Sequence, residues 1–369
     1  MTDKRTKVAV IFGGRSGEHE VSLMSARSVL SVLNPQKYTV TEIGVTPQGK
    51  WLSGEFVIDR FEKHDYSSLL PVVLLPEPRG GQLFVVKENC LEPLAAVDVA
   101  FPLIHGTFGE DGTLQGLLEL ADIAYVGCGV LASAVGMDKS LFKDVMRANG
   151  ITVVESLLFS RRQLAQNLSK VLTKIEETLP YPVFVKPANL GSSVGITRCT
   201  NHSCLVEGLL DAARFDRRVL VERGVNAREI EVSVLGNETP IASVPGEIQP
   251  QEEFYTYSAK YITNESRLIF PAELDPATTE EIRQIAVKAF TVIDGAGMAR
   301  VDFLVERETD MVLLSEVNTI PGFTSISMYA KLWETSGIPY TALIDHLIEL
   351  ALERKQDRDE TVRTYRRDE

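Results

Sequence analysis

The sequence has few cysteines and no long apolar segment. Its 369 residues include 4 cysteines, and 18 consecutive apolar residues occur nowhere. Disulfide-built domains are rich in cysteine, and a membrane-spanning helix needs about 20 apolar residues. The apolar run that ends at Phe12 is too short for the core of a signal peptide. We therefore predict a cytoplasmic protein with reduced thiols and no membrane partner.

Positive charge is also scarce. The chain has 38 Lys and Arg residues against 51 Asp and Glu residues, which gives a net charge of −13. Such a balance argues against a general nucleic-acid binder, although a local positive pocket for phosphates remains compatible with it. The length exceeds that of one compact core and indicates two or three domains.

Two common nucleotide-binding motifs and a zinc-site pattern are missing. The chain lacks G-x-x-x-x-G-K-[ST], and its first glycine loop, Gly13-Gly14-Arg-Ser-Gly17, departs from G-x-G-x-x-G. Dinucleotide binding is thus the weaker interpretation of this loop; the other is that Glu18 faces a ligand crevice. Cys199, His202 and Cys204 have no second cluster with which to form a zinc site.

Residues 299–322 are predicted to form a β-hairpin, because two strand-like runs are separated by four turn-forming residues. Alternation puts Arg300 and Asp302 on one face, and Glu316 and Asn318 on one face of the partner. A three-residue loop would set Asp302 opposite Glu316. Two carboxylates about 5 Å apart repel by roughly 3 kcal/mol at an effective dielectric of 20. A divalent cation between them is therefore one interpretation, and an ordinary surface hairpin is the other.

The same register makes two further predictions. It sets Arg300 opposite Asn318, and Leu304 opposite Leu314. The two leucines would form an apolar floor for a purine.

A lysine and a glycine-serine loop lie between two predicted strands. Lys186 ends the strand 181–186, and small residues follow between Gly191 and Gly195. Such loops let backbone N–H groups approach an anion, and the lysine is a candidate phosphate contact. Together with the acidic hairpin they indicate ATP. Glu222 and the backbone after it could contact an adenine edge and Glu229 a ribose hydroxyl, or these could be exposed acidic strand ends.

His105 follows the predicted strand 97–103, where Glu110 can reach back and fix its tautomer. The periodicity of residues 131–149 predicts one helix. Residues 249–270 carry aromatic side chains without regular periodicity, which is typical of a lid. Residues 354–369 are nearly all polar and are predicted to be frayed. Residues 46–96 contain no chemical motif.

These motifs resemble those of the D-alanine–D-alanine ligases, which are ATP-grasp enzymes. The resemblance runs in order from Lys7 to about Leu350. It rests on the Gly13–Ser22 loop, His105-Gly-x-x-Gly-Glu-Asp-Gly112, Lys186-Pro-x-x-x-Gly-Ser-Ser-Val-Gly195, Lys260-Tyr261, Arg300-x-Asp302 and Glu316-Val-Asn318-Thr-x-Pro-Gly-Phe-Thr-Ser-x-Ser327.

The resemblance implies an α/β (α+β) ATP-grasp fold in which ATP lies between two antiparallel sheets. It implies an N-terminal Rossmann-like domain (1–128), a central ATP-grasp subdomain (129–222) and a C-terminal subdomain (223–369). The family is also often homodimeric.

It also implies site residues. The ATP-binding set is Lys139, Lys186, Ser192, Ser193, Glu222, Arg223, Val225, Glu229, Lys260 and Leu304. Two Mg²⁺ (or Mn²⁺) ions would be held by Asp302, Glu316 and Asn318.

For the amino-acid substrates, the resemblance implies that the first D-alanine lies between Glu18 and His105. Arg300 and the Gly322 N–H would form the oxyanion site, and Ser327 would hold the second carboxylate. Ser192, Tyr261 and Glu18 would form a hydrogen-bonded set that closes the lid.

The implied product is D-alanyl-D-alanine for peptidoglycan. A D-alanine–D-lactate or D-serine ligase, another ATP-grasp carboxylate–amine ligase and a non-catalytic nucleotide-binding module are the alternatives. The Lys260-Tyr261 pair favours the dipeptide branch, since a neutral tyrosine does not repel an incoming ammonium.

Overall fold

The computed structural model describes residues 5–191, 194–249 and 267–362, in which helices cover three β-sheets. The strands are β1 (Thr6–Gly13), β2 (Tyr38–Val45), β3 (Trp51–Ser53), β4 (Leu70–Leu74), β5 (Gln82–Val86), β6 (Leu91–Ala96), β7 (Val99–Pro102), β8 (Ala124–Tyr125), β9 (Ser156–Ser160), β10 (Val183–Pro187), β11 (Thr197–Cys199), β12 (Arg218–Arg223), β13 (Ala227–Gly236), β14 (Ile241–Ala242), β15 (Gly246–Gln249), β16 (Arg267–Ile269), β17 (Gly297–Glu306) and β18 (Val312–Asn318). The helices are α1 (His19–Leu30), α2 (Val57–Glu62), α3 (Thr113–Leu120), α4 (Val130–Met137), α5 (Lys139–Ala148), α6 (Arg161–Thr178), α7 (His202–Phe215), α8 (Pro276–Val292), α9 (Met328–Thr335) and α10 (Tyr340–Asp359).

The first sheet has the order β6-β5-β4-β3-β2-β1-β7-β8. Strands β2, β1, β7 and β8 are parallel, and β3 to β6 extend the sheet by antiparallel pairing. Residues 8–12 of β1 are buried, as their continuous apolar run predicts for a strand covered on both faces. The loops that follow β1 and β7 therefore lie at the same edge of the sheet, and they carry Glu18 and His105.

The second sheet is antiparallel, in the order β11-β10-β12-β9. Helices α6 and α7 pack their apolar sides against it. Helix α6 starts at a capping box formed by Ser160 and Gln163 and is kinked at Asn167 (φ −146°, ψ 43°). Lys186 on β10 and Glu222 on β12 come from this sheet.

The third sheet is also antiparallel, in the order β16-β15-β13-β17-β18, with β14 paired to β13. Helix α8 covers one face with Ile282, Ala286, Ala289 and Phe290, which are all buried. Along β17, buried residues alternate with the half-buried Arg300, Asp302 and Leu304. The predicted hairpin is confirmed, and its polar face is turned away from the helix.

The hairpin register is confirmed at the acidic pair and wrong beyond it. Asp302 lies opposite Glu316, and Arg300 lies opposite Asn318. However, Leu304 lies opposite Leu313 rather than the predicted Leu314, because the strands slip by one residue after Asp302. The loop has four residues, 307–310, since the Glu306 N–H donates to the Met311 carbonyl. The longer loop and the β-bulge shift the register in opposite directions.

The prediction of one helix over residues 131–149 is wrong, because the chain is extended at Asp138 (φ −85°, ψ 97°). The Asp138 carboxylate accepts hydrogen bonds from the N–H groups of Ser140 and Leu141 at 3.1 and 2.9 Å. An aspartate at this N-cap position stabilises a new helix start more than it stabilises a helix interior. Lys139 is therefore the first residue of α5.

The prediction of a frayed C-terminal segment is wrong for residues 354–359, which belong to α10. Arg354 lies 4.2 Å from the centre of the Tyr125 ring and donates to the Gly127 carbonyl at 2.6 Å. Arg358 forms an ion pair with Glu119. The segment is polar in sequence but packs its long side chains against the first sheet.

Some predictions extend beyond the described residues. Of the predicted lid, Gln249 ends β15 and Arg267–Ile269 form β16, while residues 250–266 lie outside the part that the structure describes. The same holds for residues 363–369. No helix in residues 5–191, 194–249 or 267–362 is long and apolar enough to cross a membrane. The division into domains after residues 128 and 222 stays a prediction.

Candidate active site

A cavity of about 230 Å³ lies where the three sheets meet. Its lining includes residues from the loops of the first sheet, the glycine loop after β10, and the β17–β18 hairpin with the loop that follows it. The predicted site residues that it brings together are Glu18, His105, Lys139, Arg300, Glu316, Asn318, Gly322 and Ser327. Residues from opposite ends of the chain therefore surround one small volume.

Glu18 lies against the backbone of two glycines. A Cβ atom built on Gly106 would lie 2.3 Å from Glu18 Oε2, and one built on Gly191 would lie 2.8 Å from the same oxygen. Gly106 also has a positive φ of 73°, which further disfavours a side chain. The carboxylate of Glu18 therefore sits where the His105 loop approaches the glycine loop of the second sheet.

His105 is held from three sides and is only 3 % exposed. Its Nδ1 lies 3.0 Å from the Ile320 carbonyl oxygen and 3.6 Å from Glu110 Oε1, and its Nε2 lies 2.8 Å from Ser25 Oγ. A carbonyl can only accept, so Nδ1 carries a proton and donates to Ile320. Glu110 approaches His105 as predicted, but the hydrogen bond that fixes the tautomer is made to Ile320, whereas Glu110 Oε1 lies 3.6 Å from Nδ1.

These contacts make His105 a suitable cation. Burial is the largest single effect and acts to lower its pKa, but the Glu110 and Glu18 carboxylates and the hydrogen bond to the Ile320 carbonyl together outweigh it, and the pKa lies above its ordinary value. Burial raises the pKa of Glu110 itself, partly offset by His105. A protonated imidazole at the wall of the cavity can bind a carboxylate.

Arg300 is fixed by two carboxylates. It donates to Asp302 through Nε at 2.7 Å and Nη2 at 2.6 Å, and its Nε lies 3.1 Å from Glu231 Oε2. Asn318 Nδ2 donates to Asp302 Oδ2 at 3.0 Å. This fork-like pairing orients the guanidinium within the hairpin face.

The second carboxylate of the acidic pair has its own cation. Glu316 Oε2 lies 3.4 Å from Lys139 Nζ, which also donates to the Leu190 carbonyl at 2.9 Å. Arg300 and Lys139 therefore offset the repulsion between Asp302 and Glu316.

The donor set suits a hard divalent cation. Asp302 and Glu316 offer carboxylate oxygens, and Asn318 can turn its amide oxygen outward because its nitrogen is bonded to Asp302. No group of three or more His, Cys, Asp or Glu side chains could hold a metal ion within residues 5–191, 194–249 and 267–362. Two carboxylates and an amide fit Mg²⁺ that completes its shell with phosphate oxygens and water.

Lys186 and Glu222 form an ion pair between β10 and β12. Lys143, which the sequence analysis missed, places Nζ 3.0 Å from the other oxygen of Glu222. Burial alone would raise the pKa of Glu222, but the two ammonium groups lower it to about 2. The Glu222 side chain is therefore engaged by lysines, and its contact with adenine stays a prediction.

The remaining nucleotide candidates lie along neighbouring strands. Arg223 pairs with Glu306 at 3.2 Å and so connects the second sheet to the third. Glu229 lies opposite Leu304 in the β13–β17 ladder. Val225 is in the connection between β12 and β13. None of these residues lines the cavity, whereas Gly191 of the glycine loop does.

Four predicted residues cannot be placed. Ser192, Ser193, Lys260 and Tyr261 lie outside the described residues, so their roles stay predictions.

The loop between β18 and α9 is held by α1. Ser25 Oγ accepts a hydrogen bond from the Phe323 N–H at 3.2 Å, and Ser327 Oγ accepts from the Thr324 N–H at 3.0 Å. Gly322 lies beside them, and a Cβ there would be 3.4 Å from Ser327 Oγ.

Ser25, Lys143 and Glu231 also belong to the site, although the sequence patterns did not predict them. Glu231 shares a strand face with Glu229, and Lys143 lies one helical turn after Lys139, so spacing could have indicated both. Ser25 had no comparable signal, because its partners come from distant loops.

Comparisons with known proteins agree with this arrangement. Residues 7–128 match the family described as D-ala D-ala ligase N-terminus, and residues 145–349 match D-ala D-ala ligase C-terminus. The chain is 48 % identical to a D-alanine–D-alanine ligase of Acetivibrio thermocellus, over 97 % of this chain and 98 % of the relative. It is 47 % identical to one of Heliobacterium modesticaldum, over 95 % and 96 %.

Solved structures give the same result. The D-alanine–D-alanine ligase of Coxiella burnetii superposes with a TM-score of 0.82 and 36 % identity, over 97 % of both chains. The VanG D-Ala:D-Ser ligase of Enterococcus faecalis gives a TM-score of 0.84 and 34 % identity, over 94 % of this chain and 99 % of the other. The likeness thus covers all three sheets.

Proposed function

This chain belongs to the D-alanine–D-alanine ligase family, which has the ATP-grasp fold, and we propose that it joins two D-alanine molecules to D-alanyl-D-alanine at the expense of ATP. The product would serve peptidoglycan synthesis. The observation that carries the proposal is the cavity that combines Glu18 and His105 with Arg300 and Glu316. It offers an anion and a cation for a zwitterionic amino acid beside residues suited to phosphoryl transfer.

In the first step, D-alanine would place its ammonium near Glu18 and its carboxylate near His105. A carboxylate oxygen attacks the γ-phosphorus of ATP, a new P–O bond forms, and the bond to the β–γ bridging oxygen breaks. ADP leaves, and D-alanyl phosphate remains in the cavity. The burial of His105 keeps its charge unscreened by water, which supports precise placement of the attacking oxygen.

Asp302, Glu316 and Asn318 are the residues that would hold Mg²⁺ (or Mn²⁺), which when bound would spread the negative charge of the transferring phosphoryl group. Lys139, at 3.4 Å from Glu316, is placed to contact a phosphate near the same carboxylate. Lys186 would contact the phosphates from β10.

In the second step, the amine of another D-alanine would attack the acyl carbon. The N–C bond forms, the C–O bond to phosphate breaks, and the amine loses its proton. Arg300 and the Gly322 N–H would stabilise the oxyanion, and Ser327 would hold the second carboxylate. The fork of Asp302 and Glu231 around Arg300 supports this role, because it fixes the guanidinium before substrate binds.

Several parts of the proposal rest on the family likeness. Ser192, Ser193 and Lys260 would contact ATP, and Tyr261 and Ser192 would close the site with Glu18. Adenine and ribose would lie along Glu222 to Val225, Glu229 and Leu304. A homodimer in the cytoplasm is the expected state.

An oxygen-transfer experiment tests the proposed chemistry. The chain is incubated with ATP, Mg²⁺ and D-alanine whose carboxylate carries ¹⁸O, and phosphate and peptide are analysed by mass. We expect one ¹⁸O atom in each phosphate and one ADP for each dipeptide. Unlabelled phosphate would show that water, rather than the carboxylate, attacks ATP. The absence of dipeptide would refute the proposed function altogether.

A further inference from the structure

Lys143 is a lysine in an unusual place. It lies on α5, one turn after Lys139, and is 1 % exposed. A buried ammonium is costly unless it is paired, and its Nζ lies 3.0 Å from Glu222 Oε1. Burial lowers the pKa of Lys143, an effect that Glu222 partly offsets. A methionine would fill this space at less cost, so packing alone does not account for a lysine here.

Glu222 is shared between two lysines. Its Oε1 faces Lys143 and its Oε2 faces Lys186, so each oxygen has one ammonium partner. The side chains are 1 %, 8 % and 15 % exposed for Lys143, Glu222 and Lys186, respectively. With both lysines protonated the cluster has one positive charge in excess, and its most accessible member is Lys186, which precedes the glycine loop.

We propose that Lys143 is a positioning residue that neutralises Glu222 from behind and thereby leaves the Lys186 ammonium available for a phosphate of ATP. This inference rests on the proposed function, since it assigns Lys186 to the nucleotide. Without Lys143, Glu222 would direct its whole charge to Lys186 in a one-to-one buried pair. The phosphate would then have to compete with that carboxylate, and affinity for ATP would fall.

The test compares Michaelis constants. For Lys143→Met we expect the KM for ATP to rise about tenfold or more, while the KM for D-alanine changes less than about twofold. Arg147→Met is the matched control, because Arg147 is a cation one turn later on α5 that pairs with Asp144 at 2.9 Å. We expect its KM for ATP to stay within about twofold of the wild-type value. An unchanged KM for ATP in Lys143→Met would overturn the inference.

A second variant separates positioning from folding. In Lys143→Met/Glu222→Gln the buried carboxylate is neutral, so Lys186 has no charge competitor. We expect its KM for ATP to match that of Glu222→Gln alone, even if Lys143→Met by itself fails to fold. A further tenfold rise above the Glu222→Gln value would contradict the inference.

Dipeptide formation by the wild type distinguishes a failure of this inference from a failure of the proposed function. A wild-type chain that makes no dipeptide with ATP would refute the proposed function. An active wild type whose KM for ATP is insensitive to Lys143 would refute only the positioning role.

Discussion

Replacing Glu316 with glutamine removes one charge from the acidic pair and keeps the volume of the side chain. Glu316 lies opposite Asp302, and its Oε2 lies 3.4 Å from Lys139 Nζ. The substitution therefore tests a role in phosphoryl transfer with little disturbance of packing.

We expect Glu316→Gln to lower the stability of the fold slightly and the kcat strongly. Coulomb's law gives about 5 kcal/mol for unit charges at the 3.4 Å separation of Lys139 and Glu316 if the dielectric is 20. Glu316 is 29 % exposed, so desolvation and solvent reduce the net loss to about 1 kcal/mol or less. That corresponds to a fall in Tm of no more than a few degrees. Loss of a group that stabilises transferring charge instead costs about 100-fold or more in kcat, or about 2.7 kcal/mol.

The assay measures ADP release with D-alanine over a range of Mg²⁺ concentrations, together with thermal unfolding. Glu308→Gln is the matched control, since it removes the same charge from the same hairpin and keeps an oxygen for Asn226 Nδ2, 2.7 Å away. We expect wild-type kcat for the control. If Glu316→Gln kept more than about a tenth of the wild-type rate, a loss under 1.4 kcal/mol, Glu316 would have no role in phosphoryl transfer.

Three further predictions concern the groups around the site. Ser25→Ala leaves His105 Nε2 and the Phe323 N–H without their buried partner, so we expect about 1–3 kcal/mol less stability and a higher KM for the second D-alanine. Ser31→Ala at the end of α1 is the control. An unchanged KM in Ser25→Ala would contradict the role of Ser25 in positioning the loop. Since the pKa of His105 is raised, its stabilisation is complete below about pH 6.5 and is lost as pH rises through the folded value. In Glu110→Gln we expect the loss of stability, and the rise in KM for the first D-alanine, to begin at lower pH than in the wild type. Identical pH profiles for the variant and the wild type would refute the influence of Glu110 on the pKa of His105. Arg354→Ala removes the hydrogen bond to Gly127 and the contact with Tyr125, so we expect about 1–2 kcal/mol less stability with unchanged kinetics, relative to Glu353→Ala; equal unfolding curves would contradict it.

The acidic pair shows how far sequence patterns reach. Alternation assigned Arg300 and Asp302 to one face, because side-chain direction in a strand is a local property. The register was right at Asp302 and Glu316, although the loop was predicted one residue too short. The bulge after Asp302 compensates, and nothing in the local sequence marks it.

One helix boundary could be predicted from the local sequence, and another could not. The break at Asp138 could have been predicted, because an aspartate followed by two polar residues is a typical helix N-cap. The order of residues 354–359 could not, since Arg354 and Arg358 depend on Tyr125 and Glu119 from a distant part of the chain.

The polar network around His105 contains one contact that the local sequence indicates and others that depend on distant parts of the chain. Glu110 follows His105 by five residues in one glycine-rich turn, so its approach was predictable. Ser25 and Ile320 reach the same ring from α1 and from the loop after β18. Only the packing of the first sheet against the third brings them together.

The choice of second substrate distinguishes a dipeptide ligase from the other members of the family. The chain is supplied with ATP, Mg²⁺ and equal concentrations of D-alanine, D-serine and D-lactate at pH 7, and the products are identified by mass. We expect D-alanyl-D-alanine to dominate. A predominance of D-alanyl-D-lactate or D-alanyl-D-serine would contradict it and assign the chain to another branch of the family.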